Sequence, residues 1–375
     1  IVTHLNAIYV LLPYIVKIGK KLAIYGFVPK KESKAFKTSL EEVEGVRVDV
    51  KPSNSDARLT PPTKLVNGWF SKPFRMFVTM YGVPNYNDID PTLFVAISYT
   101  LLFGIMFGDV GQGILLSIIG YIAYKYKGMQ LGLVGTRLGI SSAIFGVVFG
   151  SVFGNEHILT PLFHTMDSDN TMLLLGATVA LGISLIIISM CFNIFLNIRQ
   201  KNVVEALISN NGIAGLVFYI AVLGSVIDML LGIGYVNIFY ILGLMIIPIL
   251  LIFLKEPITH KVQGKPMFPH GFGSFFIEGF FELFEVVLSF ISNTLSFLRV
   301  GGFVFSHAGM MLVVYTLAEM VGGGGYWIVL VIGNIFVMCL EGLVVGIQVL
   351  RLEFYEMFSR YYLGNGKPFK SIKEK

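Results

Sequence analysis

Arg299 sits well inside the apolar run Phe290-Ile291-Ser292-Asn293-Thr294-Leu295-Ser296-Phe297-Leu298-Arg299-Val300. An arginine at that depth keeps its charge and costs at least ~2.5–3.5 kcal/mol to insert, so it calls for a partner, water or a task. Glu285 lies 14 residues earlier and, on an unbroken helix, about 40° from the same face. His307 lies 8 residues later, about 80° round. With Ser292, Asn293, Thr294, Ser296 and Ser306 nearby, such a helix lines water or a protein partner rather than lipid. The plain alternative is an interhelical salt bridge that only fastens a bundle. For His307 alone, a satisfied buried histidine is as good a reading as a proton carrier.

The last apolar run repeats the pattern. Glu341 precedes Arg351 by 10 residues, ~15 Å along a helix, with Gln348 between them. Arg351 can also be read as an interfacial, snorkelling arginine. Glu341 stands amid Val337-Met338-Cys339-Leu340 and Gly342-Leu343-Val344, where a desolvated carboxylate could exchange protons. Glu278, Glu282 and Glu285 fall at i, i+4 and i+7, an acidic stripe that is either a cation vestibule or a solvated helix face. Asp109, Glu156, Asp167, Asp169, Asp228 and Glu319 fall at or near turns, where solvation is expected. No P-loop, HExxH or nucleophile elbow occurs, so no nucleotide, hydrolase or cofactor site is read. Cys191 and Cys339, alone in apolar runs, read as buried or lipid-facing fillers.

The elements that must carry these residues follow from composition. Of the 375 residues 55% are hydrophobic and only 14% charged, with a mean hydropathy of +0.75. This excludes an ordinary soluble enzyme and a disordered chain, leaving an all-α, polytopic membrane bundle. Residues 1–90 form a basic leader: a helix over 1–20, a strand over 22–27, a helix over 31–44, a strand over 46–50 and a linker over 51–63. Ile1 opens the chain without a signal-peptide pattern, which suggests a longer protein whose earlier part is not seen here.

Residues 91–375 then predict eight spans, about 91–107, 111–126, 138–154, 172–196, 205–227, 236–254, 280–320 and 326–358. The first two form a tight hairpin and the last two are too long for an upright crossing. Gly104, Gly108, Gly146, Gly150 and Gly154 follow phenylalanines at small-xxx-small spacing and read as helix-packing positions. Loops at 108–111, 155–171, 228–235 and 322–325 lack Lys and Arg. The opposite loops carry Lys125, Lys127, Arg137, Arg199, Lys201, Lys255, Lys261 and Lys265. The positive-inside rule therefore puts both termini in the cytoplasm and makes the net charge of +5 a topology signal, not a nucleic-acid footprint.

These residues resemble the V/A-type rotary ATPase stator subunit, called a in vacuolar and I in archaeal and bacterial enzymes. The resemblance rests on Leu298-Arg299 with His307-Ala308, on Glu341-Gly342 with Leu350-Arg351-Leu352-Glu353, and on Phe107-Gly108-Asp109-Val110-Gly111-Gln112-Gly113. Tyr362-Leu363-Gly364-Asn365-Gly366-Lys367-Pro368-Phe369 and the stretch from Pro61-Pro62-Thr63 through Met80-Tyr81-Gly82 to Asp90-Pro91 are similar too. It implies that residues 1–90 end a cytosolic arm and that Arg299 faces carboxylates of a rotor ring of proteolipid subunits. Arg351 is then the second arginine, and Glu285, His307 and Glu341 line two half-channels for H⁺ or Na⁺. It further implies contact with peripheral stalk subunits through the arm, no ATP catalysis in this chain, and no cofactor. Short non-cytoplasmic loops without N-x-[ST] favour an archaeal or bacterial cell membrane. The competing reading is a secondary transporter that binds an anionic substrate at the two arginines; its inverted repeats are not evident.

Overall fold

The structure, a computed structural model, describes residues 14–19, 21–53, 55, 59–155, 158–161, 168–262, 264, 266 and 272–370. Two compact units divide the chain: Ile1–Asn67 with Thr79–Asp90 and Gly364–Lys375, and Gly68–Val78 with Pro91–Leu363.

The first unit holds an antiparallel hairpin of β1 (Ile15–Ile18) and β2 (Lys21–Ile24) and one helix, α1 (Ser33–Glu41). The expected helix over 1–20 is corrected at its end, because Ile15–Ile18 pairs as a strand; residues 1–13 lie outside the described residues. The strand expected over 22–27 is the shorter β2. The alternating valines of 46–50 form no strand; among the described residues nothing pairs with them. The C-terminal segment is tied to this unit: Phe369 N–H donates to Thr63 carbonyl at 3.0 Å and Gly366 N–H to Val83 carbonyl at 2.8 Å. Asn85 Nδ2 also donates to Asn365 Oδ1 at 2.6 Å.

The second unit is almost wholly helical. In chain order it contains most of α2 (Arg75–Tyr81), then α3 (Thr92–Phe107), α4 (Val110–Lys127), α5 (Gln130–Phe149) and α6 (Ser168–Arg199). Then come α7 (Val203–Ile208), α8 (Ile213–Leu231), α9 (Ile238–Phe253), α10 (Lys255–Val262), α11 (Phe272–Ser296), α12 (Leu298–Val321) and α13 (Gly323–Tyr361). Within α13 the turns of Leu352–Phe358 widen to π-helical spacing. Among the described residues four stretches are long and apolar enough to cross a membrane, in α5, α6, α7 taken with α8, and α13, or five if α9 and α10, bent by 54°, count as one. The eight expected spans all fall on helices, but several are shortened or broken. The third starts at Gln130 rather than 138, so Arg137 lies within the helix. The fifth is interrupted between Ile208 and Ile213. The seventh is two helices, α11 and α12, separated at Phe297.

Packing explains the departures. Glycines let α4 and α5 touch backbone to backbone: a Cβ at Gly113 would lie 2.8 Å from Gly139 carbonyl O, and one at Gly120 2.6 Å from Gly132 carbonyl O. Gly128, at φ 64, closes α4 by donating its N–H to Tyr124. Phe297 is fully buried, its ring filling the space over Gly182 of α6, so the break in the seventh span is held by tertiary packing. Arg137 is buried too, its Nη2 on Trp69 carbonyl at 2.7 Å and its guanidinium over the Trp69 and Phe70 rings. The core runs through Phe74, Leu102, Met106, Phe107, Ile186, Met190, Leu352 and Met357. Cys191 and Cys339 are free and exposed.

Candidate functional site

α12 and α13 are an antiparallel pair folded at Gly322. In such a pair contacting residue numbers have a nearly constant sum, because both helices rise equally. Val314 meets Gly333 and His307 meets Glu341, giving sums of 647 and 648. Arg299 and Arg351, summing to 650, therefore share a second level about 12–15 Å further along, and each lies within the other's electrostatic reach.

The first level is buried. Glu341 Oε2 lies 2.6 Å from His307 Nδ1, and Asp109 Oδ2 lies 3.7 Å from His307 Nε2. Asp109 is wholly buried, which corrects its reading as a solvated turn residue. It caps α4 by accepting from Gln112 N–H at 2.8 Å. It also accepts from Phe153 N–H at 3.1 Å, Gly154 N–H at 2.7 Å and Ser151 Oγ at 2.7 Å. One carboxylate thus ties the α3–α4 turn to the chain leaving α5, and presents the result to α12. Gln112 Nε2 donates to Asn334 Oδ1 of α13 at 3.1 Å. A small cavity of about 30 Å³ lies beside His307, bounded by Gly108, Ser151 and Gly154. His307 Nδ1 and Glu341 Oε2 share one hydrogen bond, while Nε2 is buried without a hydrogen-bond partner and meets Asp109 only as a charge contact.

The second level opens outward. Arg299 is half-buried and Arg351 exposed. Around them the surface is apolar, with Leu295, Leu298, Leu343 and Ile347 all exposed. Gly302 and Ser306, which share the Arg299 face, are exposed as well, and a Cβ at Gly302 would meet nothing within 4 Å. Glu285 is exposed on α11. The break at Phe297 removes the unbroken helix on which its shared face with Arg299 was reckoned. Glu278 is exposed and accepts from Ser274 Oγ at 3.0 Å; Glu282 is half-buried. The stripe is not drawn into either cluster.

The widened turn adds residues that sequence reasoning missed. Glu353 is fully buried and accepts a hydrogen bond from Ser98 Oγ of α3; Glu356 is buried nearby. Arg360 is buried over the Phe290 ring and donates to Asn211 Oδ1 at 3.1 Å. Their signal was faint, because they follow Arg351 where the sequence is turning polar. Asp228, also expected to be solvated, is buried and accepts from Gly234 N–H at 2.7 Å and Tyr235 N–H at 3.1 Å. Glu156 and Asp167 lie outside the described residues, as do Lys265, Lys373 and Lys375.

An apolar helical bundle with charged residues held at two depths defines a polytopic membrane protein. The model of the V-type ATPase 116 kDa subunit family matches residues 1–133. The A-type ATP synthase subunit I of Archaeoglobus fulgidus is 26% identical, covering 93% of this chain and 58% of that protein. The subunit of the same name from Methanocaldococcus jannaschii is 26% identical over 95% of this chain and 56% of that protein. The V-type ATP synthase subunit I 2 of Treponema pallidum is 32% identical over 38% of this chain and 34% of that protein. The family match is thus confined to residues 1–133, while the likeness to the archaeal subunits runs along most of the chain. The chain spans less than two thirds of the length of the archaeal relatives.

Proposed function

We propose that this chain is the membrane part of an ion-translocating stator subunit in a V/A-type rotary ATPase. In this reading residues 1–90 end a cytosolic arm that meets the peripheral stalk. Residues 91–375 make an eight-crossing domain in a cell membrane, with both termini cytoplasmic. The observation that carries it is the Arg299–Arg351 pair on an outward apolar face where Gly302 and Ser306 leave room for another helix. Two cations bordered by lipid-compatible side chains suit a partner that brings a carboxylate through the membrane, such as a ring of small apolar subunits.

The mechanism then follows from electrostatics. A carboxylate cannot readily face lipid charged, so it travels protonated or holding a cation. Beside Arg299 its ionised form is favoured and it releases the ion. The buried Asp109–His307–Glu341 cluster, ~12–15 Å away, is placed to pass protons on the non-cytoplasmic side. Glu285, with Glu278 and Glu282 outside it, serves the cytoplasmic path. The fixed charge of Arg299 also blocks a direct leak between the two paths. The driving force is ~2.3 kcal/mol per charge per 100 mV.

The test is Arg299→Ala in the assembled complex, reconstituted in vesicles and assayed for ion flux and ATPase activity on one preparation. Pumping should be abolished with assembly retained. Near-normal pumping by that complex would rule the reading out; poor expression with normal coupling in what survives would mark Arg299 as a bundle fastener.

A further inference from the structure

Two like charges in a poorly solvated setting call for a compensating one. Glu356 acts on both arginines, and it sits on the widened turn just after Arg351. Glu356 is 3% exposed. Ser296, the last residue of α11 before the break at Phe297, donates its Oγ to Ser292 carbonyl at 3.0 Å. Arg360 also lies in the field of Glu356; its hydrogen bonds go to neutral groups, Asn211 Oδ1 and Glu356's own backbone carbonyl at 3.2 Å, and it stands over Phe290. Tyr219, bound to Thr294 Oγ1 at 2.8 Å, is the other titratable group near Arg360.

What is left over is informative. Arg299 Nη1 and Glu356 Oε2 are both buried without a hydrogen-bond partner, and among the described residues no ion pair within 4 Å joins the two side chains. Each keeps hydrogen-bonding capacity free while sharing a field with the other. A direct salt bridge would occupy the guanidinium fork, and an incoming carboxylate would have to displace it.

We propose that Glu356 is the internal counter-charge of the Arg299–Arg351 pair, a positioning residue that offsets one of the two positive charges while leaving Arg299's donors free for a partner's carboxylate. The proposal rests on the reading of Arg299 given above. Ionised Glu356 offsets one of the two positive charges of the Arg299–Arg351 pair; without it both stand uncompensated. A visiting carboxylate would then be held more firmly in its ionised form, and reloading it would take more of the transported cation.

The experiment compares Glu356→Gln and Glu356→Asp in the complete complex, reconstituted in vesicles. ATP-driven uptake is measured against the concentration of the transported cation, first protons and then Na⁺, and assembly is followed on native gels. Gln removes the charge in an isosteric side chain and should raise the cation concentration for half-maximal uptake about tenfold, one pH unit for protons. Asp keeps the charge one methylene further back and should shift it the same way by less, so it carries the test if the Gln complex does not assemble. Fewer assembled complexes with an unshifted cation dependence, in either variant, would mark Glu356 as a packing residue and overturn the proposal. Arg299→Ala on the same preparations separates the two failures. A silent Arg299→Ala complex beside an unshifted Glu356→Gln complex sinks only the counter-charge, whereas an active Arg299→Ala complex sinks the parent reading.

Discussion

Asp109→Ala is the sharpest structural perturbation available, because one carboxylate serves two separate backbone segments. Its loss strips the N-cap from α4, worth about 1 kcal/mol, and leaves the N–H groups of Phe153 and Gly154 without their acceptor. Those groups are partly buried, so the low end of the usual penalty, about 1 kcal/mol each, applies. Together these give about 3 kcal/mol of lost resistance to local opening, or a roughly hundredfold change at about 1.4 kcal/mol per decade. Hydrogen–deuterium exchange in the reconstituted complex reads this directly. Peptides covering 109–113 and 150–155 should exchange about a hundredfold faster in the variant, while the amides of α13 around Val345 should not change. Exchange within threefold of wild type at Gln112, Phe153 and Gly154 would refute the claim that Asp109 is their shared acceptor.

Two further outcomes are expected. Glu285→Gln should slow coupled transport in vesicle assays while native gels still show the complete complex; loss of the complex would give Glu285 a structural role instead. Gly139→Leu should separate α4 from α5, since a Cβ there would lie 2.6 Å from Ser117 N. The expected cost is about 1–3 kcal/mol, read as a lower melting temperature of the purified subunit, and an unchanged melting temperature would contradict the backbone contact.

How much of this was legible depended on contrast. Arg299, His307, Glu341 and Arg351 stand out as ionisable groups in apolar runs, and the pairing of α12 with α13 brings like levels together without further information. Asp109 was hidden by its position in a turn. Turns are usually wet, but α3 has only 16 residues and α4 only 18, so their turn stops at the depth where His307 passes. Glu353 and Glu356 were hidden because the widened turn that buries them leaves no signature in residue spacing. The break at Phe297 had no Gly or Pro to announce it. It comes from the Phe297 ring seating over Gly182, which is more than 100 residues away in sequence. The short strands failed for the opposite reason. Local alternation at 46–50 was present, but among the described residues nothing pairs with it.

The matched numbering of α12 and α13 has a consequence for how such a chain can change length. One residue added between Arg299 and His307 would slide one arm ~1.5 Å past the other and swing Arg299 by ~100°, while His307 kept its place beside Glu341. The same insertion within Gly322–Gly325 would leave both levels in register, because the tip lies beyond the helical contacts that set them. Length variation is therefore tolerable at the fold of the hairpin and prohibited between its two charged levels. The 8- and 10-residue intervals work as a ruler that substitutions can repaint but insertions would break.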